Sequence, residues 1–295
     1  MRYLTVGIVG ALLVAACGTA ADPSRVDALQ TESPSPSPTV PSEEPSAELR
    51  FAVIGDFGSG WREQHQVARK MCRWRNRHPF DIVMTTGDNI YPDGAPRHFE
   101  EKFFEPYECL LSNGVQFHAS LGNHDYMTRR GRPEINEPAF GVPKRNHVLR
   151  TGGVRFVVVD SNRLDMEWLR KATRARQLDR WTVVLFHLPV FSPGSYRGST
   201  PGLRPSLPRL FRKRGVDLVL NGHDHLYAVT KPLRRIRYVV TGGGGAGLYP
   251  CGDAWFSARC ASRNHFLYVR ATDAELRVRA VGLDGVFHRF STTGR

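Results

Sequence analysis

The chain is predicted to be an α/β protein: a four-layer αββα sandwich of two mixed sheets packed face to face, with helices on both outer surfaces. Three observations carry this. From Arg50 to about Leu220, short apolar runs alternate with segments of helical spacing, as parallel strands joined by crossover helices require. Beyond Tyr238 the apolar runs follow one another with little helix between them, which supplies a strand-rich second region. Five short polar stretches each close an apolar run, and open sheets place their chemistry beyond the carboxyl ends of their strands.

The 295 residues begin with Met1-Arg2, an apolar run from Tyr3 to Leu13, and Val14-Ala15-Ala16-Cys17. A run this short, closed by small residues, reads as an export signal and is too short for a membrane span. Val-Ala-Ala-Cys17 resembles the lipobox of bacterial lipoproteins, in which that cysteine becomes the acylated first residue. The expectation is therefore an extracytoplasmic protein held on the cell membrane through a lipid at Cys17, with plain secretion as the alternative. Residues 18–48 contain Ser33-Pro34-Ser35-Pro36-Ser37-Pro38 and Pro41-Ser42-Glu43-Glu44-Pro45, with almost nothing apolar to bury. They are expected to form a disordered tether. The apolar pattern starts at Leu49 and no second linker or repeat follows, so residues 49–295 are expected to form one domain.

Within that domain Arg50-Phe51-Ala52-Val53-Ile54 is the first strand, and Val67, Met71 and Trp74 recur at helical spacing between Arg62 and Arg77. Phe80 to Thr85 is the next strand and Phe99 to Leu111 its helix, after which Val115 to Leu121 is extended. Strands are expected again at Val154–Asp160, Trp181–Phe186 and Val216–Leu220, with helices at Met166–Arg176 and Leu207–Arg214. Tyr238–Thr241, His265–Ala271 and Leu276–Val281 form the strand-rich tail.

Four cysteines remain beside Cys17, and an exported chain with an even count favours disulfides. Three connectivities are open. Cys251 and Cys260 flank a short loop, while Cys72 and Cys109 fall on two successive helices, which selects those pairs; four buried thiols are the alternative. Lys plus Arg exceeds Asp plus Glu by 41 to 28, so the field of the protein attracts anions: phosphorylated molecules, nucleic acid or the lipid surface itself. The basic residues are scattered through Arg129-Arg130, Arg212-Lys213-Arg214 and Arg234-Arg235, without an Arg-striped helix or a row of stacking aromatics. Specific nucleic-acid binding is not expected, and the protein is expected to be a monomer.

The five polar stretches are Gly-Asp56-Phe57-Gly58, Gly-Asp88-Asn89-Ile90-Tyr91, Gly-Asn123-His124-Asp125, Val-Leu-Phe-His187 and Gly-His223-Asp224-His225. An Asp, Asp, Asn, His, His, His set suits first-row metals and is no thiolate site. Two metals clamping the oxygens of an in-line displacement share a ligand, and a carboxylate bridges where an imidazole cannot. Asp88, central in the series, is the expected bridge. His223 and His225, one residue apart, point the same way on an extended segment, and a slight turn lets them reach neighbouring metals.

Over residues 50–250 the series resembles the calcineurin-like metallophosphoesterase superfamily, and in detail the purple acid phosphatases, especially the small tartrate-resistant type. The superfamily's first motif is Asp-x-His, and here Gly58 stands in place of that histidine. Asp88-Asn89-Ile90-Tyr91 matches the purple phosphatase pattern in which the tyrosine is a tyrosinate ligand to ferric iron, so the loss of His and the gain of Tyr agree. The resemblance implies the metallophosphoesterase fold and two metal ions. The first, Fe(3+), takes Asp56, Asp88, Tyr91 and His225; the second, Fe(2+), Zn(2+) or Mn(2+), takes Asp88, Asn123, His187 and His223.

His124 has no metal in this allocation, and in the family the equivalent residue contacts phosphate and helps protonate the leaving oxygen. Its neighbour Asp125 is placed to hold the ring. The expected reaction is attack of a metal-bound hydroxide on a phosphomonoester, a small-molecule substrate, with His124 assisting departure of the alcohol. A phosphodiesterase or nucleotidase with the same site is the alternative, and a non-catalytic phosphate-binding lipoprotein the third. Gly242 to Gly247 contains G-x-G-x-x-G, but no helix follows, so it reads as a turn whose bare backbone passes close to the metals. His98 is expected at the pocket mouth without a catalytic role.

Overall fold

Phe51 and Val53 face one way from the first strand and Ala52 and Ile54 the other, and all four side chains are buried. A strand apolar on both faces needs a layer on each side, and that requirement organises the molecule. The computed structural model describes residues 48–174, 179–194 and 198–294. The elements are, in order, β1 (Leu49–Ile54), α1 (Arg62–Arg75), β2 (Ile82–Thr85), α2 (Glu105–Leu111), β3 (Gln116–His118), α3 (Arg132–Asn136), β4 (His147–Thr151), β5 (Val154–Val158) and α4 (Met166–Ala172). They continue with β6 (Trp181–Leu185), α5 (Leu207–Arg214), β7 (Leu218–Asn221), β8 (Tyr227–Thr230), β9 (Arg237–Thr241), β10 (Ser257–Ala261), β11 (His265–Ala271), β12 (Glu275–Gly282) and β13 (Gly285–Thr293).

The first sheet runs β13-β12-β11-β1-β2-β3, parallel from β1 to β3 and antiparallel from β1 through β11 to β13. The second runs β10-β8-β9-β7-β6-β5-β4, with β5, β6, β7 and β9 parallel. Both sheets are mixed, as the sequence predicts. Between them lies a core in which Phe51 meets Phe156 edge to face at 4.9 Å, and burying each such ring contributes about 2–3 kcal/mol. Val67, Ala68 and Met71 of α1 and Leu110 of α2 cover the outer face of the first sheet; Leu169 of α4 and Leu207 and Phe211 of α5 cover the second. The result is the expected four-layer sandwich.

The boundaries differ in places. The helix expected from Phe99 begins as a π-helical turn over Glu100–Phe104 before α2. The strand expected over Val115–Leu121 pairs only at Gln116–His118, because Ala119 donates instead to Phe140. The helix expected to Arg176 ends at Ala172, its last expected residues lying outside the described ones. The signal, Cys17 and the tether up to residue 47 also lie outside them. Both expected disulfides form: Cys72–Cys109 joins α1 to α2, and Cys251–Cys260 staples the loop before β10. Among the described residues no helix is long and apolar enough to cross a membrane.

Candidate metal centre

The five polar stretches converge where the two sheets bring the carboxyl ends of β1, β2, β3, β6 and β7 together. Three of the residues they present adopt left-handed backbone: Asp56 at φ 56°, Asp88 at 51° and His223 at 71°. Such a conformation costs a non-glycine residue about 1–2 kcal/mol, least for Asp and Asn, and here it turns side chains out of the strand line and into the junction. Close approach then fixes glycines. A Cβ on Gly122 would overlap Asp88 Oδ1, and one on Gly242 would sit 2.9 Å from Asp56 Oδ2, so the glycine-rich turn does pass against the site.

Two donor groups share one oxygen. Tyr91 Oη lies 3.0 Å from Asp88 Oδ2, 3.4 Å from Asp56 Oδ1 and 3.1 Å from His225 Nε2, and Asp56, Asp88 and His225 form a group able to hold a metal ion. On the other side, Asn123 Oδ1 lies 3.0 Å from both His187 Nε2 and His223 Nδ1, which are 3.2 Å apart. His187 Nε2 is 3.4 Å from the same Asp88 Oδ2. A cation bound at about 2.1 Å spaces neighbouring donors about 3.0 Å apart in an octahedron and about 3.4 Å apart in a tetrahedron, and these separations match.

Acceptor atoms crowd one another at this junction, an arrangement that a cation would relieve. His187 Nδ1 lies 2.9 Å from the Thr86 carbonyl and His225 Nδ1 2.7 Å from that of Gly247, so each carries a proton there and turns Nε2 to the junction, where it can take a second proton or a metal. Burial works against charge on the His187 ring, but the Asp88 carboxylate outweighs it and lifts the imidazole to about 9. Burial opposes the Asp88 carboxylate too, yet His187 and His124 hold it well below the usual range. Asp56 is pushed up by burial. Burial, and then the Asp88 and Asp56 charges, push the Tyr91 phenol well above its ordinary value, so a tyrosinate here requires a cation beside it. The residues fit a pair of hard or borderline metals.

His124 sits at the open edge of the junction. Its backbone N–H donates to Asp88 Oδ1 at 2.9 Å, its Nδ1 lies 2.6 Å from the Pro92 carbonyl, and its Nε2 stands 4.0 Å from Asp88 Oδ2. The ring is therefore held by Pro92 rather than by Asp125, which corrects the expectation. Asp125 points the other way and is fully buried. Its Oδ1 accepts from the backbone of Asn89 and Ile90 and its Oδ2 from Gly122 and the Asn89 amide. That carboxylate ties the Asp88 turn to the Asn123 turn, a role the motif spelling does not reveal. Beneath it Glu134 Oε2 accepts from the same Asn89 amide at 2.8 Å.

Gly222 to Leu226 is a tight turn, with the Asp224 backbone N–H donating to Gly222 and that of Leu226 to Asp224. The turn is tighter than the slight one expected, and the two rings enter neighbouring donor groups. His225 is further held by a stack on Tyr249, with ring centroids 4.2 Å apart. Asp224 between them is buried, points away from the junction, and receives Ser192 Oγ and the Gly198 backbone N–H. His98 lies off the junction, 3.8 Å from Asp93.

A family model described as calcineurin-like phosphoesterase matches residues 49–227. Among curated proteins, purple acid phosphatase 3 of Arabidopsis thaliana is 27% identical, covering 83% of this chain and 78% of its own length. Tartrate-resistant acid phosphatase type 5 of Rattus norvegicus is 25% identical, covering 68% of this chain and 73% of its own. Among solved structures, the purple acid phosphatase from yellow lupin (Lupinus luteus) seeds superposes with a TM-score of 0.73 at 19% identity, over 85% of this chain and 55% of that one.

Proposed function

The chain belongs to the calcineurin-like phosphoesterase family, and from that premise we propose that it is an exported phosphatase that hydrolyses phosphomonoesters at a pair of metal ions. It is a phosphoric ester hydrolase similar to purple acid phosphatases. The observation that carries the finer reading is Asp88 Oδ2, which stands 3.0 Å from Tyr91 Oη and 3.4 Å from His187 Nε2 and so belongs to both donor groups. Asp56, Asp88, Tyr91 and His225 would hold one metal, where the phenolate favours Fe(3+). Asp88, Asn123, His187 and His223 would hold the other, Fe(2+), Zn(2+) or Mn(2+).

When bound, such a pair supplies Lewis-acid neutralisation of the phosphoryl oxygens and activates water. The chain's own residues do the rest. Thr86 and Gly247 fix the tautomers of His187 and His225, and the burial of Asp56, Asp88 and His187 keeps water from competing for those donors. Pro92 locks His124 Nδ1, so a proton on Nε2 is aimed into the site for the departing alcohol. The signal-like start and Cys17 support a lipid-anchored, extracytoplasmic enzyme that acts on small phosphate esters.

Elemental analysis of the purified protein and hydrolysis of p-nitrophenyl phosphate and its bis-substituted diester test this. Two metals per chain and preference for the monoester are expected, with both metals and activity lost in Asp88→Asn. A fully active Asp88→Asn protein overturns the site; preference for the diester replaces the monoesterase reading with a phosphodiesterase.

A further inference from the structure

Two residues beyond His124 the chain enters a cavity of about 480 Å³ lined by Tyr126, Arg129, Arg130, Arg132, Arg145 and Arg163. Scattered over the sequence, the arginines read as a diffuse basic surface; folding gathers five of them around one concavity. None of the five pairs with a carboxylate within 4 Å among the described residues. An adjoining cavity shares Arg145 and Arg163 and contains Asp160 and Asp165; these acids accept from the backbone of Asn162 and Trp168, and Arg145 lies near enough to Asp160 to favour its carboxylate without bonding to it.

The cavity is tied to the metal centre. Asn162 Nδ2, beside Arg163, donates to the Gly122 carbonyl at 3.1 Å, and Ser161 Oγ accepts from the backbone of Leu188, next to His187, at 3.1 Å. Arg145 stacks over Tyr126 at 5.3 Å and donates to the Arg130 carbonyl, which holds the arginine-bearing loop. Tyr126 lies at most about 7 Å along the backbone from His124. A concave site of one charge sign concentrates its counter-ion, and guanidinium forks suit phosphoryl oxygens.

We propose that this cavity is an anion subsite that selects small phosphate esters carrying a second phosphoryl group, an inference that rests on the hydrolase reading above. A hexose bisphosphate carries two phosphoryl groups on one small sugar, one for the metal centre and one for the cavity that begins two residues beyond His124. The test compares fructose 1,6-bisphosphate with fructose 6-phosphate, using wild type and the double variant Arg132→Gln/Arg163→Gln. Both side chains are exposed, and neither makes a hydrogen bond among the described residues that the fold would miss.

Wild type is expected to show a KM at least about tenfold lower for the bisphosphate, the effect of one or two solvent-exposed charges. The variant should lose that advantage with kcat unchanged and p-nitrophenyl phosphate turnover within about twofold. No preference in wild type, or a preference that survives in the variant, overturns the subsite. Loss of binding to phosphatidylglycerol vesicles with an intact sugar preference assigns the arginines to a lipid surface and overturns it equally. If metal-loaded wild type fails to cleave p-nitrophenyl phosphate, the hydrolase reading falls separately. Calorimetric titration with the bisphosphate then still reads the subsite, equal affinities of wild type and variant overturning it.

Discussion

The backbone N–H of Tyr91 donates to the Gly58 carbonyl at 2.8 Å, bringing the two motifs so close that a Cβ on Gly58 would overlap the Asn89 carbonyl. The Asp-x-His spelling of the wider superfamily and the Tyr91 arrangement therefore exclude each other sterically. Tyr91 fills the junction that a histidine at 58 would otherwise enter.

Replacing Tyr91 by Phe should leave the fold intact, since the ring packing is kept, and remove the oxygen that touches Asp56, Asp88 and His225. The expected outcome is loss of any visible tyrosinate-to-iron absorption and of one metal's affinity, with a thermal midpoint within a few degrees of wild type. Gly58→His should not restore the metal; it should destabilise by about 2 kcal/mol or more through backbone displacement. A stable, coloured Gly58→His protein would refute the steric argument.

Asp125 receives four N–H groups in a fully buried place. Alanine there strands those donors at about 1–3 kcal/mol each, so the variant should fold poorly. The substitution Asp125→Asn is the sharper test. An amide nitrogen would face the Gly122 N–H and the Asn89 amide, donor against donor, costing about 3 kcal/mol and loosening both metal-bearing turns. Metal content and resistance to urea unfolding should fall together in this variant; unchanged metal affinity would show that the two turns are held some other way.

How much of this was legible follows from range. β1, β2, β6 and β7 are apolar runs ending in Gly-Asp, His or Gly-His, so each strand and its functional residue announce themselves within a few positions. The strands β4, β8, β10 and β13 are not announced: β13 alternates partly buried with exposed residues at a sheet edge, and β10 carries arginine and cysteine where an apolar run is sought. Asp125 looks like a partner of His124 because they are neighbours, whereas three of its four hydrogen bonds run to residues 35 and 36 positions away. The arginine cavity draws on residues 129–163, and no local pattern links them.

Two histidines outside the metal centre should make the fold acid-sensitive. Burial lowers both His265, fully enclosed beside Thr241, and His147 to about 4. Their folded values lie below the unfolded one, so their stabilising effect is complete above about pH 6.5 and is lost as pH falls toward 4. Each accounts for about 3 kcal/mol. The thermal midpoint of wild type should drop over that window, and His265→Gln should flatten the drop; an identical slope in the variant would contradict the assignment.

The disulfides should differ in weight. Cys72–Cys109 spans a sequence separation of 37 and Cys251–Cys260 one of only 9, so chain entropy assigns about 4 and about 2.5 kcal/mol respectively. Thermal unfolding of Cys72→Ala/Cys109→Ala and Cys251→Ala/Cys260→Ala should show the first pair losing more. The reverse order would mean that the second clasp braces the Tyr249 loop against His225 beyond its entropic share.

His124 offers the test that separates chemistry from architecture. Its ring touches Tyr91 at 4.5 Å and bonds to Pro92, but its side chain is in neither donor group. His124→Ala should keep both metals, because the backbone N–H that serves Asp88 Oδ1 survives the substitution. If Nε2 delivers the proton to the departing alcohol, turnover of an alkyl phosphate such as glycerol phosphate should fall about 10²–10³-fold. p-Nitrophenyl phosphate, whose leaving group departs without a proton, should lose far less. A structural role predicts something else: equal losses for both substrates, accompanied by metal loss. Equal losses with full metal occupancy would assign His124 to binding phosphate, and His124→Gln would then recover much of the affinity while leaving the alkyl substrate no better than alanine does.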